Sequence, residues 1–498
     1  MNTTRKKDSV DLFATELYSK DRHSKNSLFM TNLESKKISE SEKLQLSPVD
    51  FLCEHYEITK KVADLLNNKY GSEVSPRNRE ELMVKAYNDV VNILTEEKLL
   101  PREDLVAGYV DIIFADILGL GVLEPLLDDE DVDEIMVNTH DKVFVETHGQ
   151  IRLTKIRFPS IDNAKGIVLK IITPLNKRLD ASTPNVNAQL PDGSRLSASI
   201  PPLRANGEIS ITIRKFKEEV EPLAYYAKKY NSETPEMVQF LENAVKARLS
   251  TLVSGGTGSG KTTLLNSLSM AIPRNERIIT VEDTLELKLQ QPHVEAYQTI
   301  EANMEGKGAF TTQQVIIETL RKRPDRIIVG ECRGPEIVEM LNAMNTGHEG
   351  SLSTIHANSP TDMIQRATTM IRSNEATSTL NEITIYEMLN SALHLIVQTS
   401  RLQDGSRRVV NISEVVGVGQ NGVDKLKSKG ILSEKAKAEN KVYLQDIFRF
   451  RQTNIDDDGK VHGRFEATGY IPYCLDEMNK KGVGFPESFF TKRVLLEV

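Results

Sequence analysis

The segment GGTGSGKTT, residues 255–263, follows the apolar run 249–253 and precedes a helix-forming stretch. Few chains carry that pattern without folding around a phosphate. Glycines let successive backbone N–H groups turn inward, the helix N-terminus adds partial positive charge, and the lysine neutralises β and γ oxygens. A glycine-rich turn that binds nothing would not need the strand before it and the helix after it. Gly256, Thr257, Gly258, Ser259, Gly260, Lys261, Thr262 and Thr263 are therefore the expected residues for ATP, with the Thr262 hydroxyl directed at Mg2+.

Around this loop, short apolar strands at 249–253, 278–281, 327–329, 351–355 and 394–398 alternate with helices. The alternation predicts an α/β fold with a mainly parallel sheet. In such a sheet the strand C-termini gather on the edge that carries the phosphate loop. IITVEDTLEL brings Glu282, Asp283 and Glu286 to that edge, and RIIVGECRG brings Glu331. Many phosphate-loop proteins have an aspartate directly after the second apolar run; here Gly330 intervenes before Glu331. Any of the four carboxylates could prepare the attacking water, although Glu286 alone could instead mark a helix start, where acids are also favoured. GHEGSLSTIHANSP, residues 347–360, ends another strand with Thr354, His356 and Asn358, groups able to detect a γ-phosphate. His356 is the functional candidate there; His348 is as readily structural.

At 498 residues the chain is long enough for two or three cores. Residues 1–45 are polar and aperiodic, as in a disordered arm. Three helical segments over 46–119 predict a small bundle, the last with Leu105, Val106, Tyr109, Ile112, Ile113 and Ile117 at helical spacing. Alternation on either side of His148 and Gly149 predicts a hairpin. With a helix at 162–173 and strands near 188–190, 195–200 and 209–216, it suggests an α+β domain over 120–216. Residues 217–234 are charged and read as a hinge. Thr234 and Pro235 then open a helix leading into the third region, 235–498. That region closes with a hairpin whose Lys/Glu-rich separator, 421–441, is expected to be solvated.

The net charge of -8 argues against a nucleic-acid groove, which depends on a Lys/Arg surplus. Cys53, Cys332 and Cys474 lie too far apart in sequence for a disulfide framework or a four-cysteine zinc site. The N-terminus lacks the apolar core of a signal peptide. The apolar stretch 110–127 contains Asp111, Asp116 and Glu124, too polar for a membrane span.

LVSGGTGSGKTTLLNSLS, TVEDTLELKLQQPHV, RPDRIIVGECRGPE and MNTGHEGSLSTIHANSP together resemble the Walker A, Asp box, Walker B and His box of the type II/IV secretion ATPases. LDASTPNVNAQLPDGSRLSASIPPL, ITIRKF, QTSRLQDGSRRVVNISEVVG and LQDIFRF further resemble the CpaF/TadA-type ATPase of the tight-adherence (Flp) pilus, over about 100–475. The resemblance implies a RecA-like P-loop ATPase domain behind a PAS-like α+β domain and a helical bundle. It implies a cytoplasmic homo-hexamer at the inner membrane, driving pilus platform proteins. It makes Glu331 the Walker B acid, ordering Mg2+ or water, and Glu282, Asp283 and Glu286 the Asp box. His356 becomes the phosphate sensor. Arg195 and Arg214 become arginine fingers, with Arg178 and Arg204 weaker candidates. Ile317 departs from the basic residue expected there, 421–441 is longer than the family's loop, and the cysteines do not match the zinc-bearing type II branch. An export ATPase, a DNA-translocating ATPase and an ATP-gated scaffold are the alternatives.

Overall fold

The computed structural model describes residues 46–147, 149–216, 220–300 and 307–498. The expected arm at 1–45, His148 and the first residues of the expected hinge lie outside them. The chain forms two compact units, Met1–Phe216 and Lys217–Val498.

In the first unit four helices, Pro48–Glu54, Glu57–Tyr70, Arg79–Glu96 and Glu103–Leu118, stand where three were expected. The additional one is seven residues long, capped by the Ser47 side chain and opened by Pro48. That is too short for a helical period to register. Glu103–Leu118 is buried on nearly every side because it serves two cores. Ile112 and Ala115 join the apolar side chains against the sheet, whereas Tyr109, Val110, Ile113 and Phe114 pack among the other helices. No single helix among the described residues is long and apolar enough to cross a membrane.

The sheet of this unit is antiparallel, in the order β3-β2-β1-β6-β5-β4. Its strands are β1 (Val132–Thr139), β2 (Lys142–Thr147), β3 (Gln150–Leu153), β4 (Asn185–Gln189), β5 (Arg195–Ser199) and β6 (Ser210–Arg214). One face buries Ile135, Val145, Leu196, Ile211 and Ile213. The register sets Glu146, Glu134, Arg214, Arg195 and Gln189 in one row across five strands. Two arginines directly opposite one another repel, so a like-charged pair there costs stability. Glu134, opposite Arg214 on its other side, offsets part of that cost.

The second unit has a ten-stranded sheet in the order β16-β15-β14-β13-β12-β7-β11-β10-β8-β9. Its strands are β7 (Thr251–Gly255), β8 (Ile278–Glu282), β9 (Val294–Gln298), β10 (Arg326–Cys332), β11 (Leu352–His356), β12 (Leu395–Arg401), β13 (Arg407–Val418), β14 (Val442–Ile455), β15 (Val461–Ala467) and β16 (Arg493–Glu497). The run from β12 to β9 is parallel. From β12 to β16 the strands pair antiparallel. Alternate residues supply the two faces: Val253, Ile278 and Ile328 join one core, Leu252, Ile279 and Ile327 the other. A strand covered on both faces is apolar throughout, which is why these runs are legible in the sequence. β9 is half-exposed at the sheet edge, and no strand was expected there.

Two expectations are corrected. Leu223–Tyr230, within the expected hinge, is a helix that buries Leu223 and Ala227 in the core of this unit. Gly419–Ser428, within the expected solvated insertion, is a helix that buries Val423 and Leu426. Their apolar residues are few, but correctly spaced for one helical face, and the charges around them mask the signal.

At the sheet edge opposite the strand C-termini, the fully buried Arg326 forms a two-pronged pair with Glu276, with Nε at 2.5 Å from Oε2 and Nη2 at 3.2 Å from Oε1. Its Nη1 donates to Gly350 O at 3.1 Å. Gly350 has φ +79 and no room for a side chain: a Cβ would lie 2.7 Å from both Arg248 Cα and Arg326 Nη1. His348 belongs to this end as well, its Nδ1 2.9 Å from Pro324 O. Its role there is structural.

Candidate active site

β7 delivers the chain to Gly255, where a Cβ would come within 2.4 Å of both Ser259 Oγ and Thr399 Oγ1. Those two hydroxyls are 2.9 Å apart, so the loop is pinned to β12 at its base. Gly258 and Gly260 take φ of +67 and +89, a region that side chains rarely enter. The helix Lys261–Ser269 then begins with no side chain capping its N-terminus. Uncapped first-turn amides and the helix dipole together suit an anion. Lys261 Nζ lies across the loop, 3.0 Å from Gly255 O and 2.8 Å from Gly256 O. Thr262 and Thr263 follow it and remain accessible. The donors, the positive backbone and the accessible hydroxyl fit a Mg2+-bound polyphosphate. Mg2+ needs only one or two protein ligands beside phosphate and water, which Thr262 and Glu331 would supply.

β11 lies between β7 and β10, and its last residue, His356, is the register partner of Gly255. The histidine is thereby set beside the first residue of the phosphate loop. Its pKa is lowered, first by desolvation and then by the charge of Lys261, with Glu331 opposing. The imidazole therefore stays neutral to a lower pH than a free one, and protonating it works against the folded state as pH falls below the usual histidine range. Lys261→Gln should move the NMR titration midpoint of His356 upward, and Glu331→Gln should move it downward. An imidazole indifferent to both changes would mean that these groups do not share one site. Asn358 lies close by, its Oδ1 3.9 Å from where a Gly256 Cβ would be. Thr354 does not serve as expected: it is buried, and its hydroxyl donates to Gly330 O at 2.8 Å.

The glycine before Glu331 has a structural reason. Val329 pairs with Ser353 and Cys332 with Ile355, so Gly330 and Glu331 together oppose Thr354. That is a β-bulge, a device that redirects a side chain next to a site. A Cβ at Gly330 would meet Glu282 Cγ at 3.0 Å, so the glycine also makes room for the neighbouring carboxylate.

The four acids differ in their surroundings. Glu282 is buried, and its Oε1 accepts from Glu286 N at 2.8 Å and Leu287 N at 3.0 Å, holding the loop after β8. Asp283 accepts from Thr312 Oγ1 at 3.0 Å and Thr299 Oγ1 at 3.2 Å. Glu286 contributes its carbonyl to Asn266 Nδ2 at 3.1 Å. Glu331 is held by Arg333, whose Nε and Nη2 lie 2.8 and 2.6 Å from its Oε2.

The sequence reading missed Arg333 and a pair of arginines at the β12–β13 turn. Arg401 and Arg407 are register partners, and Arg407 Nε donates to Gly258 O at 2.8 Å. Their presence in QTSRLQDGSRR was visible; their proximity to the loop was not. Arg195 and Arg214 lie in the sheet of the first unit, opposite one another. There too, Arg204 donates from Nη2 to Asn138 O at 2.7 Å, while the Asp180 pKa is lowered first by hydrogen bonds from Ser182 and Thr183 and only then by the charge of Arg178.

A phosphate loop at the C-terminal edge of a parallel sheet, with acids and a histidine on adjoining strand ends, defines a P-loop nucleotide-binding protein. The type II/IV secretion system protein family model matches residues 117–438, and the chain belongs to that family, whose ATPases hydrolyse ATP. It is 34% identical over 314 residues to a putative conjugal transfer protein of Mycobacterium tuberculosis, covering 62% of this chain and 88% of that one. It is 31% identical over 307 residues to the protein VirB11 of Agrobacterium fabrum, covering 55% and 88%. Among solved structures, the VirB11 ATPase of the Brucella suis type IV secretion system in complex with sulphate matches at 28% identity and TM-score 0.33, covering 58% and 92%.

Proposed function

We propose that this chain is a motor ATPase that binds ATP with Mg2+ and couples hydrolysis to assembly of a tight-adherence (Flp) pilus. The observation that carries the hydrolytic part is the uncapped, lysine-closed phosphate loop with His356 and Glu331 on neighbouring strand ends. In this reading Lys261 and the loop amides hold the phosphates, Thr262 and Glu331 serve Mg2+ and its water shell, and His356 senses the γ-phosphate. Arg195 and Arg214 act as arginine fingers, a device worth on the order of 10^3 to 10^5 in rate. The pilus assignment rests on the resemblance of ITIRKF, LQDIFRF and the DGSRL stretch to the CpaF/TadA type. With it come a cytoplasmic homo-hexamer, contact with inner-membrane platform proteins, and membrane association through those partners. The domain scheme of arm, bundle, α+β domain and ATPase domain is part of the same proposal, with helix Leu223–Tyr230 counted in the ATPase domain.

A second reading, a secretion ATPase serving macromolecular export, is favoured by the relatives named as a conjugal transfer protein and VirB11. Cells carrying Lys261→Ala in place of the native residue should lose surface pili while exported proteins stay unchanged. Normal piliation together with a secretion defect would replace the first reading with the second.

A further inference from the structure

We infer that Arg333 is a positioning residue that couples the Walker B carboxylate to the Asp box, and thereby selects Glu331 among the acids of the site. The inference rests on the ATPase reading above. Arg333 lies two residues beyond Glu331, and both of its close bonds converge on Oε2, at 2.8 and 2.6 Å. The same guanidinium reaches toward β8, with Nη1 3.8 Å from Asp283 Oδ2. Glu286 and His356 both interact electrostatically with it. A single cation thus lies between Glu331 and Asp283.

The backbone that carries Arg333 is fixed independently of its side chain. Glu336, 8% exposed, accepts from Arg333 N at 2.5 Å and Gly334 N at 2.8 Å through Oε1. The arginine side chain itself is 57% exposed, against 24% for Glu331. A pinned backbone with an accessible guanidinium makes an adjustable clamp on a more enclosed carboxylate. Only a planar fork can hold one oxygen of Glu331 from two nitrogens and still extend the third toward Asp283. Asp283 in turn anchors the Thr312 end of helix Thr312–Leu320. Movement of that helix would therefore reach Glu331 through Arg333.

The test uses the full-length chain under conditions where the wild type turns over ATP. Arg333→Gln is expected to lower kcat by on the order of 10- to 10^2-fold, with KM for ATP within about twofold, because orientation is lost and binding is kept. Arg333→Lys, which keeps the charge and loses the fork, should recover only part of the rate. In a Glu331→Gln background, Arg333→Gln should cost about nothing more, since coupled residues are not additive. A kcat within about twofold of wild type, a loss carried in KM, or additive losses in the double variant would overturn the coupling. Melting curves accompany each variant; if Arg333→Gln unfolds, Arg333→Lys decides by the same split of kcat against KM. Wild-type turnover by Glu331→Gln is a separate result, which removes the acid from catalysis and overturns the reading beneath the inference.

Discussion

Glu331→Gln is expected to lower ATP turnover by on the order of 10^3-fold while ATP still binds, the scale on which a positioned acid–base group acts. Glu282 and Asp283 are poorly placed to replace it. Glu282 is buried with Oε1 committed to two backbone amides, and Asp283 holds two threonine hydroxyls. The bulge at Gly330 directs Glu331 differently from the regular strand residues, and Arg333 keeps one oxygen occupied. The phosphate loop is untouched by this change, so equilibrium binding of a fluorescent ATP analogue should remain near wild type. Lys261→Ala makes the contrast, since it removes the charge lying across the loop and should weaken binding itself. Single-turnover hydrolysis beside binding separates the two. Wild-type turnover by Glu331→Gln would sink the assignment.

The second large effect concerns stability, at the opposite sheet edge. Arg326→Ala should destabilise the protein by about 3–5 kcal/mol, because it leaves Glu276 buried without its main partner. At roughly 2–4 °C per kcal/mol, the melting temperature should fall by on the order of 10 °C. Arg248, 3.2 Å from Glu276 through Nη2, compensates part of the loss. Replacing Glu276 as well, as Arg326→Met with Glu276→Leu, should recover stability, since a buried ion pair often exchanges for apolar packing at little cost. A melting curve unmoved by Arg326→Ala would show that the pair contributes nothing. Both partners lie away from the phosphate loop, so the ATP affinity of the protein that stays folded should not change.

Much of this architecture was legible locally. The strands at 278–281, 327–329 and 394–398 are apolar because both sheet faces are covered, and a fully apolar run needs no tertiary knowledge to be recognised. Thr234 caps its helix through Met237 N as the Ser/Thr-Pro pattern predicts. Elements with few apolar residues were missed or misread: β9, helix Leu223–Tyr230 and helix Gly419–Ser428 are amphipathic at most, and their burial depends on what they pack against. His348 was as readily structural as functional and Thr354 was expected at the γ-phosphate; their hydrogen bonds to Pro324 O and Gly330 O give both a structural place.

By itself the sequence determined the phosphate loop, because a glycine pattern closing on a lysine is a steric rule satisfied within nine adjacent residues. It also determined which acids end which strands, since strand ends follow from local apolar runs. Only the tertiary structure decided what surrounds each acid. The bulge that turns Glu331, the space at Gly330 for Glu282 and the reach of Arg333 to Asp283 all depend on β8, β10 and β11 being neighbours. Strand order is fixed by long-range packing, which no short window of sequence contains.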